Sequence, residues 1–408
     1  MKVAKVLVGT ITAVVAVMAF SVAAYAQDLS DSPPSPPSDS TILTVSAHKP
    51  AGILDLSVAN EATAAINRTL DWLVANQKDN GAWSDENFPA LTALPLWAFA
   101  MSDHPQKAKV IDKAIAFILT CVRDDGGIYS ELKGQKGGGL SNYNTAICLT
   151  SLQATGREDL VPVILNARKF IAGSQHFGGD IYKGGMGYDK DNERAYTDLL
   201  NSVMAFEAMA QTAGVESKRD STEKHVDLNW AEARAFLDRL QNKEESGEEN
   251  AGGFPYRPDE SKAGETNIEG RVVFRSYGSM TYAGLLALIY SDVSREDPRA
   301  KSAFDWSVKH WSLEENPGMG HQGQYFFYNI LSKSLSAYGQ NSINLGDGQA
   351  IDWREEVIKK LLSLQKIDES GRGYWVNETG RFWESNPVLS TAYAVQALQI
   401  ATGVRATP

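Results

Sequence analysis

The sequence predicts an all-α protein, an (α/α)6 toroid in which six helix hairpins close into two concentric rings. Three observations predict it. One unit, an amphipathic helix followed by a Gly-plus-aromatic loop and a nearly uncharged helix, recurs six times along the chain. The first helix of each unit carries charge on one face only, and the second is apolar on all sides. A helix apolar all round must be covered all round, so the second helices form an inner ring and the first helices an outer one. An open solenoid would carry polar capping repeats, and neither end of this array has one.

The array is preceded by two segments of different character. Residues 1–26 hold Lys2 and Lys5, an apolar run from Val6 to Phe20 and then Ala24-Tyr25-Ala26, the order of a cleavable secretory signal. No Cys follows that run to take a lipid anchor, and no later stretch is long and apolar enough to span a bilayer. Residues 27–56 begin QDLSDSPPSPPSDS, a Pro/Ser-rich tether with little to bury. The toroid is expected over 57–404, and the mature protein in a periplasm or outside the cell.

Of the 408 residues, 39 are Lys or Arg and 50 are Asp or Glu; without Lys2 and Lys5 the balance is 37 to 50, a net of −13. Such a surface repels nucleic acid and anionic membranes. Cys121 and Cys148 fall in consecutive helices, and a disulfide and two buried thiols both remain open.

In the first unit Ile66, Leu70, Leu73 and Val74 recur at helical spacing, with Arg68 and Asp71 facing elsewhere. Gln77-Lys-Asp-Asn-Gly81-Ala-Trp83 follows, then an uncharged run from Pro89 to Met101. The second unit takes Ile111–Val122, Gly126-Gly127-Ile128-Tyr129 and Tyr143–Leu152. The third takes Arg168–Gln175, Gly185-Met-Gly-Tyr188 and Asp198–Met209; the fourth Trp230–Gln241, Gly252-Gly253-Phe254 and Tyr277–Tyr290. The fifth takes Ala300–Trp311, Gly318-Met-Gly320 and Tyr325–Tyr338, and the sixth Trp353–Gln365, Gly371-Arg-Gly-Tyr374-Trp375 and Val388–Ile400. Asp198, Glu207 and Lys333 are the only charges in all six second helices.

Gln-x-x-x-Gly-x-Trp at Gln77–Trp83, with weaker echoes in the other units, resembles the QW repeat of squalene and oxidosqualene cyclases. The whole unit is similar to the prenyltransferase and squalene cyclase repeat, over nearly all of Ala62–Gly403. The resemblance implies an α/α toroid with a central cavity for an apolar or isoprenoid-like substrate. That family carries its protonating acid as Asp-x-Asp-Asp before Thr-Ala at an inner-helix start. Here Ser141-Asn142-Tyr143-Asn144-Thr145-Ala146 keeps the Thr-Ala and replaces every acid, and Arg123-Asp124-Asp125 lies in an earlier loop. The zinc set of the prenyltransferases is missing as well: Cys148 has no Asp two residues before it, and no two of the six histidines stand at i and i+3 or i+4. No metal and no cofactor is expected.

In an outer-loop-inner unit all the Gly-rich loops lie at one end, where six inner-helix N-termini converge and favour anions. The candidate catalytic residues at this mouth are Asp198, His321 and Arg275. Asp198 opens the third inner helix, as a cap or as a catalytic carboxylate. Arg275 precedes the fourth, where the helix field disfavours a cation, and is expected to meet Asp198, to meet a bound anion, or to stand plainly exposed. His321, at the head of a run ending in Tyr325-Phe326-Phe327-Tyr328, is expected to work with Asp198. Tyr143, Asn144, Tyr196, Tyr277, Gln324, Tyr325 and Trp383 are the candidate substrate-binding residues, their rings suited to carbocations and to sugars alike. The acidic stretch Asn242–Arg271 is either a lid or a disordered loop. Three functions follow: an exported enzyme resembling terpenoid cyclases, a non-catalytic ring binding a lipid, glycan or protein, and a polysaccharide lyase or hydrolase. The expected partner is a small-molecule, lipid or glycan ligand in the central cavity, or in the second function a lipid, glycan or protein at the rim; nucleic acid is not expected.

Overall fold

The computed structural model describes residues 54–132, 139–190, 197–346, 348 and 350–403, all within the compact unit Leu43–Pro408. The leader, most of the tether and Tyr196 lie outside the described residues. The outer helices are α1 (Leu56–Asn76), α3 (Lys107–Thr120), α5 (Val161–Ala172), α7 (Trp230–Leu240), α9 (Pro298–Lys309) and α11 (Trp353–Leu364). The inner ones are α2 (Ala90–Ala100), α4 (Ser141–Ala154), α6 (Leu199–Gln211), α8 (Gly278–Tyr290), α10 (Gln324–Tyr338) and α12 (Pro387–Thr402).

Each inner helix packs on the next, and α12 packs back on α2, so the ring is closed. Every residue of α2 and of α8 is buried, whereas α1 buries a stripe that includes Ala62, Ala65, Ile66, Leu70 and Leu73. The seam is made by two amides of α12: Gln396 Nε2 and Gln399 Nε2 each donate at 2.8 Å, to Leu94 O and Ala98 O of α2. Helices α3, α5 and α9 lie against α2, α4 and α8, the inner helices of the preceding units, and α1 does the same across the seam against α12.

The Gln and Trp of the repeat are wiring. Gln77 ends α1 with extended backbone, and its Nε2 donates to Gly81 O and to Val110 O of the next outer helix, both at 3.1 Å. Gln175 and Gln241 do the same to Gly184 O and Asn229 O, and to Gly252 O and Arg299 O. Gln365 spans the seam, donating to Ala65 O and Thr69 Oγ1 of α1. Trp83 Nε1 donates to Leu73 O and Trp375 Nε1 to Leu361 O, satisfying carbonyls in the last turn of α1 and α11 that have no intrahelical partner. The glycine between them is fixed by a close approach. Gly81 has φ +90°, and a Cβ there would stand 2.0 Å from Lys113 O of α3; Gly184, at φ +91°, stands equally close to Glu232 O of α7.

A hydroxyl in the first turn of the inner helices anchors the loops. Thr92, Thr145, Thr281 and Thr391 accept from the N–H of Trp83, Ile128, Phe254 and Trp375, at 2.8–3.2 Å. The Thr-Ala pair at Thr145-Ala146 is therefore accounted for by loop anchoring.

Two ionic clusters are sealed in the protein. Lys333 of α10 meets Glu207 of α6 at 3.0 Å, its ammonium lies 3.9 Å above the Trp97 ring of α2, and Tyr290 of α8 donates to Glu207 at 3.1 Å. The only two charges inside the inner helices thus neutralise each other across the ring. On the outside, Arg168 of α5 is fully buried and donates to Glu216 Oε1, Met209 O, Thr212 Oγ1 and Val226 O at 2.6–2.9 Å.

The periodicity foresees none of the six short strands among the described residues, which pair as three antiparallel hairpins on the connections. The segment expected to be a lid or disordered, Asn242–Arg271, holds a 3-10 turn at Glu244–Ser246 and β1 (Glu265–Ile268), and ends where the partner strand β2 (Arg271–Phe274) begins. Short β-branched stretches around the Asn267–Gly270 turn account for the hairpin. Cys121 and Cys148 are both buried free thiols, and burial pushes both thiol pKa values up. No helix among the described residues is long and apolar enough to cross a membrane.

Candidate functional site

Where the inner helices begin, the ring opens into a cavity of about 290 Å3. Its wall is chiefly apolar and aromatic: Phe88, Leu91 and Leu94 come from the first unit, Tyr143 from α4, Met280 from α8, and Leu389 and Tyr393 from α12. Tyr188, Tyr256 and Tyr277 complete one side from the loops, and Phe326, Phe382 and Trp383 the other. Two charged groups, Lys262 and Glu384, reach the wall.

Three of the candidate binding residues line this cavity: Tyr143, Tyr277 and Trp383. Tyr277 is the buried N-cap of α8. Trp383 stands at the mouth, 52% exposed, edge-on to Phe88 with ring centroids 4.8 Å apart. It and Phe382 both take left-handed backbone, at φ +67° and +59°, a strained choice for aromatic residues.

Asn144, Gln324 and Tyr325 are turned elsewhere. Asn144 is fully buried, accepting from Ala90 N at 3.0 Å and donating to Gly139 O at 2.6 Å, which ties α4 to the start of α2. Gln324 donates to Glu314 O and Tyr328 Oη, and Tyr325 packs edge-on against Tyr328.

The candidate catalytic trio is not assembled. Asp198 is 3% exposed and caps α6, accepting from Asn201 N at 2.8 Å and Asn201 Nδ2 at 2.7 Å. Of the three outcomes open for Arg275, the structure shows plain exposure. Its backbone is held by Gly264 O beside the hairpin, its side chain is exposed, and Nε donates to Glu265 O at 3.2 Å rather than to Asp198. The cation whose field reaches Asp198 is Arg257. His321 is exposed as well, its Nδ1 3.2 Å from Gln324 Oε1, and it does not line the cavity.

Asp198 nevertheless sits behind the tyrosine side of the wall. Met186 O receives the Asp198 N–H at 3.0 Å, and Tyr256 O receives that of Leu199 at 2.9 Å, so the strands of loop bearing Tyr188 and Tyr256 frame it. Burial raises the Asp198 carboxyl to about 6, against the pull of Asn201, the Tyr256 hydroxyl and Arg257. Its folded pKa lies above the ordinary value of 3.8, so the folded chain holds the proton longer than the unfolded one. Stability from this group is thus greatest at low pH and falls as pH rises from about 4 to 6. Asp198→Asn removes that titration. Its unfolding midpoint in urea, relative to wild type, is expected to climb across the same interval and then level off; a constant difference would refute the buried, proton-holding carboxyl.

Glu384, which the sequence reading passed over, is 1% exposed at the start of α10, accepting from Phe326 N and Asn377 Nδ2, each at 2.7 Å. Burial raises its pKa, opposed by Asn377 and by the N–H groups of residues 324–326. Lys262 Nζ lies 4.5 Å above the Tyr256 ring and is paired with Glu260. No group of three or more His, Cys, Asp or Glu able to hold a metal occurs among the described residues.

No protein-family model matches this chain, and no curated protein does. Among solved structures it is similar to the type II terpene cyclase MstE from Scytonema, with a TM-score of 0.51 at 14% identity, covering 84% of this chain and 98% of that one. It is equally similar to the GH76A α-1,6-mannanase of Salegentibacter sp. HEL1_6, with a TM-score of 0.51 at 12% identity, covering 85% and 98%. Both likenesses establish the α/α toroid.

Proposed function

We propose that the ring is a receptacle for an apolar small molecule of isoprenoid type, held in the cavity at the inner-helix N-termini, in the manner of terpenoid cyclases. The observation that carries this reading is the composition of the wall: aromatic and aliphatic side chains surround the space, and its two charged groups are already paired or capped. A concave, mainly apolar pocket with few polar groups is what an apolar ligand requires.

The fold serves a glycan-cleaving reading equally well, since one of the similar structures is a mannanase. The wall speaks against it. Glycoside hydrolysis calls for two carboxyl groups flanking the bond. Among the described residues of this wall Glu384 is the one carboxylate, and it is committed to the α10 N-terminus. If the protein is catalytic, Asp198 is the proton source we favour, acting from behind Tyr188 and Tyr256. Export rests on the leader at residues 1–26 and belongs to the same proposal.

Mass spectrometry of organic extracts from natively purified protein tests the reading. An isoprenoid or other apolar molecule is expected at near-stoichiometric amount, and its loss is expected when the cavity is filled by Leu91→Trp. Recovery of a bound oligosaccharide instead would overturn the proposal.

A further inference from the structure

Two of the cavity's tyrosines stand in an unusual relation. Tyr143 of α4 and Tyr393 of α12 approach hydroxyl to hydroxyl at 3.2 Å. Tyr393 is 5% exposed, and both line the cavity. Among the described residues neither hydroxyl meets another protein hydrogen-bonding group.

Two phenols carry two protons, and a mutual hydrogen bond uses one of them. Whichever ring donates, one O–H is left over, on a wall it shares with Leu91, Leu94 and Leu389. On an apolar wall such a donor favours a bound molecule that can accept from it. Glu384 and Lys262, the charged groups of the wall, have partners of their own.

We infer that the Tyr143–Tyr393 pair is an oxygen-recognition site, and that the molecule the cavity takes carries a carbonyl or hydroxyl oxygen on a hydrocarbon skeleton. The inference rests on the apolar-ligand reading above and narrows it. A pure hydrocarbon would bury the spare O–H against carbon. A sugar would bring many hydroxyls to a wall that can answer few of them. One oxygen on an otherwise apolar body satisfies both the pair and the wall. Because Tyr143 and Tyr393 belong to helices on either side of α2, the oxygen would be read between α4 and α12, with the skeleton lying against Phe326 and Met280.

Equilibrium dialysis of the full chain against two matched probes decides the matter: farnesal, which has a carbonyl oxygen, and farnesene, which has none. The wild type is expected to retain farnesal about tenfold better, the scale set by leaving a buried donor unmet. The double variant Tyr143→Phe/Tyr393→Phe is expected to lose that preference, with farnesal falling to the level of farnesene, while its retention of farnesene shows that the cavity is intact. Equal retention of both probes by the wild type overturns the inference while leaving the apolar-ligand reading standing, and this arm needs no variant to fold. A preference that survives in the double variant also overturns it. Retention of neither probe defeats the apolar-ligand reading and the inference with it.

Discussion

Lys333→Met is expected to lower the unfolding free energy by about 3–5 kcal/mol, the usual consequence of stranding one half of a buried ion pair. Glu207 would keep the Tyr290 hydroxyl at 3.1 Å but lose the ammonium at 3.0 Å, with its side chain only 3% exposed. The lysine would in turn lose its seat over the Trp97 ring. Burial lowers the Lys333 pKa and Glu207 opposes that fall, so the pair holds together by mutual compensation. The double variant Lys333→Met/Glu207→Leu removes both charges and is expected to recover most of the loss, because well-packed apolar groups replace buried pairs at little or no cost. Urea unfolding of the two singles and the double completes the cycle. A double variant as unstable as the sum of the singles would show that the pair does not act as a unit.

That pair also shows what a sequence can reveal. In six helices nearly free of charge, Glu207 and Lys333 are the only charges beyond the helix starts, and pairing them across the axis is the economical solution. The ring and its two layers follow from the same contrast between half-charged and uncharged helices. The site is less legible, for a reason that lies in the same contrast. A helix buried on every side has no polar face, so its sequence gives no phase; nothing in Pro387–Thr402 says that Tyr393 looks into the cavity and not into a neighbour. Tyr143 was accessible to sequence reasoning because it falls in the first turn at the mouth.

Arg275 and His321 fail differently. Their positions near inner-helix starts are as expected, but a hairpin of two four-residue strands supplies Arg275 with a backbone acceptor, and Gln324 lies beside the His321 ring. Contacts of that kind depend on loop geometry over a few residues, where periodicity carries no information. Glu384 is legible only in retrospect, as an acid in the residues leading into α12 whose neighbour in space, the α10 N-terminus, is distant in sequence.

The second large effect is expected at Arg168, where the chain between α6 and α7 is fastened to the outer ring. Its guanidinium serves four acceptors at once, two of them carbonyls, Met209 O near the end of α6 and Val226 O. Glu216 is held by Arg168 and Arg219 together and accepts the Val226 N–H at 3.1 Å. Arg168→Met would leave those carbonyls and Thr212 buried with a donor missing, at a cost of about 3–5 kcal/mol. Arg168→Lys keeps the charge but not the planar fork, and is expected to recover less than half of it. The loss has a pH signature. Burial alone would raise the Glu216 carboxyl, but the hydrogen bonds from Arg219 and Arg168 bring it down to about 2 from 4.5. A depressed carboxyl contributes stability that is fully present above pH 4.5 and is lost as pH falls toward 2. The gap between wild type and Arg168→Met in urea midpoint is therefore expected to be widest near neutrality and to narrow below pH 4.5. Hydrogen exchange should place the weakened amides in residues 213–226; protection lost uniformly over the ring, or a gap indifferent to acid, would mean that Arg168 is only a space-filling side chain.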